Sequence, residues 1–137
     1  MQFTVINSNE IKWNKNELFI VLVQPKIKPS PFLKQLEKFT NNNVKDIIKN
    51  SNFNGNFGEK VLIRSSYQSF LLLGCGSNFS SYLKYEKLGG ILFSSIINIG
   101  YQNATFICNL EIAITKVKKI VPKILFGFEL KSYTFSK

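Results

Sequence analysis

Apolar residues along the chain gather in short runs, separated by stretches rich in asparagine, glycine and lysine. Residues 3–6, 60–64 and 104–108 are short runs of strand type. Residues 18–23 and 70–73 are continuous apolar runs, the pattern of strands covered on both faces. Other segments repeat at helical spacing. Ser30-Pro31 makes a good helix entry, because the hydroxyl can cap and proline is tolerated at the first helical position. Phe32, Leu36 and Phe39 then mark one helical stripe, which Asn41-Asn42-Asn43 ends, and a second short helix is expected over 44–49. Tyr85, Leu88, Leu92, Ile96 and Ile99 mark a longer stripe that begins after Ser80 and stops at Gly100. Within it, Gly89-Gly90 costs about 1 kcal/mol per glycine relative to alanine, so close contact of this helix with the sheet is expected to compensate. Pro122 is expected to open a last helix, with Ile124, Leu125, Phe128 and Tyr133 on its buried side. Residues 7–16, 24–31 and 51–58 read as polar, proline-punctuated or Asn/Gly-rich connections.

Strands that alternate with helices predict an α/β class in three layers, a mixed β-sheet flanked by helices. No internal repeat and no linker divides the sequence, so residues 1–137 are read as a single domain.

Composition agrees with a packed core: 45% of residues are hydrophobic and thirteen are Phe, which excludes a disordered chain. The formal charge of +10 favours polyanionic or acidic partners, but a solvated lysine surface is the plainer reading. Arg64 is the one arginine among 18 basic residues, which argues against a sequence-specific reader of bases. Cys75 and Cys108 form no close-spaced motif and are expected as buried free thiols in a reducing compartment. The start, MQFTVINSNE, carries no secretory pattern, and the mostly apolar residues 88–101 are too few to span a bilayer. A cytoplasmic protein is expected.

Candidate chemistry is sparse. The sequence has no histidine, which removes hydrolase designs that depend on imidazole. The eight carboxylates are scattered, with no visible metal cage. Gly74-Cys75-Gly76-Ser77 follows a strand and precedes a helix, so its amides could face a phosphate. It lacks the third glycine of the dinucleotide pattern and the Gly-Lys-Ser/Thr of the P-loop, and reads better as a tight turn. Lys116, Lys118, Lys119 and Lys123 form the densest basic cluster, with no interleaved aromatic to stack on a base. Phe126, Phe128, Tyr133 and Phe135 close the chain; they read as core, or, for the last two, equally as an interdomain contact.

Four motifs in order extend the picture: Phe53-Asn54-Gly55-Asn56-Phe57-Gly58-Glu59, then Phe70-Leu71-Leu72-Leu73-Gly74-Cys75-Gly76, then Leu88-Gly89-Gly90, and last Gly127-Phe128-Glu129-Leu130-Lys131-Ser132-Tyr133-Thr134-Phe135. This series resembles the amino-terminal domain of the leucyl aminopeptidase family. There the pattern runs Phe-x-Gly-Lys-x-Gly-Glu, Leu-Leu-Val-Gly-Leu-Gly, a helix with Gly-Gly, and Gly-x-x-Leu-x-x-Tyr-x-Phe. Asn56 stands where lysine is usual, and Cys75 where an apolar residue is usual. The first fifty residues agree only as a strand-loop-helix outline.

The resemblance implies a macro-domain-like fold and a longer enzyme that releases amino-terminal residues from peptides. It also implies two divalent metals, manganese or zinc, and a hexamer. The metal ligands and catalytic arginine of that family belong to its carboxy-terminal domain, whose motifs do not occur here. No catalytic, cofactor-binding or metal residue is therefore assigned, no cofactor is expected in this chain, and the chain alone is expected to be inactive. The implied partners are its own catalytic domain and further copies of itself. Some bacterial members bind DNA, so nucleic acid stays open. The alternative is a stand-alone basic or macro-like module that binds a nucleotide phosphate or nucleic acid.

Overall fold

The structure, a computed structural model, describes residues 2–7, 17–25, 31–40, 44–64, 68–76, 83–101, 103–108 and 114–136. In chain order the elements are β1 (Gln2–Asn7), β2 (Leu18–Val23), α1 (Pro31–Thr40), α2 (Val44–Asn50), β3 (Lys60–Arg64), β4 (Ser69–Gly74), α3 (Leu83–Ile96), β5 (Asn103–Cys108) and α4 (Ile114–Ser136). The five strands form one sheet in the order β1-β5-β2-β4-β3. The pairs β1/β5, β5/β2 and β2/β4 are parallel, and β3 runs antiparallel on β4. The sheet is mixed and three-layered, as the alternation of strands and helices predicts.

Every residue of β2 and β4 is buried, which explains their unbroken apolar runs. Their register places Ile20 beside Leu71 and Leu22 beside Leu73, facing α3 and α4. Phe19 beside Phe70 and Val21 beside Leu72 face α1 and α2. The Phe19 and Phe70 rings stack with centroids 5.1 Å apart. The expected strands and the first three helices all form, within a few residues of their expected ends. Of the turn expected over 7–16, Asn7 ends β1 and residues 8–16 lie outside the described residues, as do Ser30, the asparagines at 41–43, Ser77, Ser80 and the side chain of Cys108.

The last helix departs from the reading of Pro122 as its start. It begins at Ile114 and carries Pro122 inside it. Proline removes one helical hydrogen bond and crowds the preceding turn, at about 3 kcal/mol. Val117, Ile120, Val121 and Ile124 are all buried on the core side of the helix. Four such side chains, at about 1.5–3 kcal/mol each, outweigh that cost. Pro122 itself is exposed.

Two further expectations are corrected. Tyr133 is 64% exposed and Phe126 50% exposed, so neither belongs to the core. The compensation for Gly89 comes from α4 rather than from the sheet. A Cβ on Gly89 would lie 2.9 Å from the carbonyl carbon of Gly127 and closer still to the Ile124 oxygen. A Cβ on Gly127 would lie 2.7 Å from the Glu86 Cα. The helices α3 and α4 therefore meet backbone to backbone at this crossing. Gly90 faces open space and has no such reason to be glycine. Phe128 closes the seam, edge-on to Phe93 at 5.3 Å and to Phe3 at 5.1 Å.

Candidate functional site

In α/β sheets ligands enter outside the carboxyl ends of strands, where neighbouring connections take opposite faces. Here that point lies between β2 and β4, since α1 and α2 cover one face and α3 and α4 the other. The chain itself closes it. Residues 53–59 cross the strand ends, with Phe53 buried in the α1–α2 core and Phe57 against the α3–α4 core. Gly55 takes φ +78° and abuts the backbone carbonyl of Gln24, where a side chain would collide. A side chain on Gly74 would likewise meet the Asn56 carbonyl.

Hydrogen bonds lock this cap. Gly58 N–H donates to the Gly74 carbonyl at 2.9 Å, and Gly74 N–H to the Glu59 carbonyl at 2.7 Å. Glu59 turns its carboxylate back on the loop, where Oε1 accepts the N–H groups of Asn54 at 3.0 Å and Asn56 at 2.9 Å. These bonds explain why the motif ends in Gly-Glu: the glycine makes the turn at φ +86°, and the carboxylate ties it.

The glycine turn after β4 is occupied in the same way. Cys75 N–H donates to the Val23 carbonyl at 2.9 Å, and its thiol reaches the same oxygen at 3.4 Å. With the Gly74 and Cys75 amides both used internally, neither is left to cradle a phosphate. Burial pushes the Cys75 thiol up from 9.0 to about 12, against the smaller opposing effects of its backbone hydrogen bond and of Lys84. It stays protonated at neutral pH and is not a nucleophile. The Lys84 ammonium lies over the rings of Phe57 at 5.5 Å and Tyr85 at 5.3 Å, beside the cap.

The basic cluster is on the first half of α4. Lys116, Lys118, Lys119 and Lys123 are all exposed. The spacing of Lys116, Lys119 and Lys123 puts those three on one side of the helix.

Comparison with known proteins agrees with this architecture. The sequence pattern of the cytosol aminopeptidase family, N-terminal domain, matches residues 20–137. The chain belongs to the cytosol aminopeptidase family.

In three dimensions it is similar to a mutant form of tomato leucine aminopeptidase, with a TM-score of 0.74 at 18% identity. That likeness covers 96% of this chain and 28% of the tomato chain, so this chain spans less than a third of that relative's length. A comparison with curated proteins returned no match.

Among the described residues, no three His, Cys, Asp or Glu side chains come together in a group that could hold a metal ion. No helix among the described residues is long and apolar enough to cross a membrane.

One polar cluster of the domain was not visible in the sequence. It lies at the opposite end of the sheet from the cap, where β2 and β4 begin. Glu17, 6% exposed, accepts a hydrogen bond from the Thr105 hydroxyl, which in turn accepts from Thr4 at 2.9 Å. Ser69 N–H donates to the Glu17 carbonyl at 3.3 Å, and the Ser69 hydroxyl meets Tyr101 at 3.2 Å. Glu17 and Thr105 are 88 positions apart, so no local signal announces the pair.

Proposed function

We infer that residues 1–137 form the amino-terminal, non-catalytic domain of a cytoplasmic, metal-dependent leucyl aminopeptidase, with an assembly or regulatory role. The single observation that carries this reading is the family match over residues 20–137. The Phe53–Glu59 motif is consistent with it, because its one carboxylate, Glu59, is tied to the loop's own amides. In this reading a separate catalytic domain of the same polypeptide holds two divalent metals, manganese or zinc, and hydrolyses peptides from their amino termini. The whole enzyme is a hexamer. Tyr133 and Phe135, 64% and 68% exposed, belong to the surface that meets the catalytic domain. The test is hydrolysis of leucine amide by the purified chain with added manganese or zinc. No turnover above the metal blank is expected, and metal-dependent turnover by the pure chain overturns the assignment.

The exposed lysines of α4 favour a second reading, a nonspecific contact with nucleic acid. Its signature is affinity that falls steeply with salt, because each lysine–phosphate contact releases counterions. Binding that is absent or insensitive to salt excludes it.

A further inference from the structure

Beside the cap, on the α2 side, lies an open cleft of about 570 Å³, within the size range of small-molecule sites. One wall is α2, whose Lys45, Ile48 and Lys49 recur at three- and four-residue spacing and so share a helix face. The rest of the lining comes from Phe53, Asn54 and Asn56 of the cap and from Pro25. Phe53 is 4% exposed and Ile48 and Pro25 are half-buried, which gives the cleft an apolar floor.

The rim is polar and its charges are uneven. Among the described residues, neither the Lys45 nor the Lys49 ammonium has a partner. The Asn54 side chain reaches the Asn52 carbonyl at 3.4 Å, a weak contact that it can exchange. Among the described residues, two carboxylates accept N–H groups from the lining residues. Glu37 accepts the Lys45 backbone N–H at 3.2 Å, and Glu59 holds the amides of Asn54 and Asn56. Asp46 follows Lys45 on α2 but lies about 100° further round the helix.

The walls are also fixed in place. Val44 anchors α2 at 0% exposure, and Gly55 together with Glu59 pins the cap against Gln24. A preformed cleft with an apolar floor and, on its rim, two lysine ammoniums that have no partner among the described residues matches one ligand class. We propose that this cleft binds a small organic anion: a carboxylate or phosphate carried on an apolar or aromatic body. Lys45 and Lys49 pair with the anionic group, and Ile48 and Phe53 receive the apolar part.

The test is a titration of the nitrogen-labelled protein, read by amide chemical shifts, with two matched pairs of probes. N-acetylphenylalanine and its neutral amide examine a carboxylate; adenosine monophosphate and adenosine examine a phosphate. At least one anion is expected to shift Ile48, Lys49, Asn54 and Asn56 together, binding roughly tenfold more tightly than its neutral counterpart. The pair that responds identifies the carboxylate or the phosphate as the source. In the double variant K45Q/K49Q, whose positions are both exposed, the anion's advantage is lost while the spectrum elsewhere and the melting temperature hold. The proposal is overturned if no probe produces shifts at the cleft, if neutral and anionic partners bind alike, or if the double variant retains the preference.

Discussion

On one face of the sheet α3 and α4 are long and touch backbone to backbone where Gly89 meets Gly127. On the other face α1 and α2 are short, and among their described side chains only Leu36 and Val44 are fully buried. The first layer places Tyr85, Leu88, Leu92 and Ile96 of α3, with Val117, Ile120, Val121 and Ile124 of α4, in a single core cluster. The difference teaches where tolerance lies. A seam of backbone against backbone has no flexible atoms to give way, whereas a layer of short helices leaves room for an open cleft beside the cap. The Phe53–Glu59 loop joins the two, with one phenylalanine in each core.

The strongest way to break the contrast is to add a methyl group at the seam. Gly127→Ala and Gly89→Ala are each expected to lose about 3 kcal/mol or more, because the new Cβ meets backbone atoms. Urea unfolding measures this, and an unchanged midpoint means that the helices do not meet so closely. The cap comes next. Glu59→Ala leaves the Asn54 and Asn56 amides without their acceptor, at about 2 kcal/mol, with faster hydrogen exchange confined to the loop. Spread of the faster exchange into α3 would show that the cap is not a separate unit.

A smaller effect sharpens the role of Cys75. Its folded pKa is raised, so the stability tied to its protonated form is complete below pH 9.0 and drains away as pH rises towards about 12. Unfolding of the native protein and of Cys75→Ala across that window should differ by a loss present only in the native chain; parallel curves contradict it. The smallest change has the opposite sign. Gly90→Ala is expected to stabilise by up to about 1 kcal/mol, since helix propensity improves and nothing lies within 4 Å of the new Cβ. A destabilised Gly90→Ala would show that both glycines serve the seam.

Legibility in the sequence followed the range of the interactions. Strands β2 and β3 fall at their expected residues, because a buried or bounded apolar run is a local signal. The start of α4 was hidden by Pro122, a residue that usually opens helices, while the buried stripe that overrides it begins earlier, at Val117. Gly89 is legible as a glycine that needs compensation, but its partner Gly127 is distant in sequence, so no local signal points to α4 rather than to the sheet. The same holds at the site. The Phe53–Glu59 motif could be seen, but its function as a cap over the strand ends depends on Gly74 and Gln24, which only the fold brings to it. The Glu17–Thr105–Thr4 chain was invisible for the same reason.

The proposed service of this domain to a catalytic domain on the same polypeptide is tested most directly by the intact mass and carboxy-terminal sequence of the native protein. The expected result is a chain several times longer than 137 residues, with lysine, aspartate and glutamate metal ligands after Lys137. A native polypeptide that ends near Lys137 would contradict it.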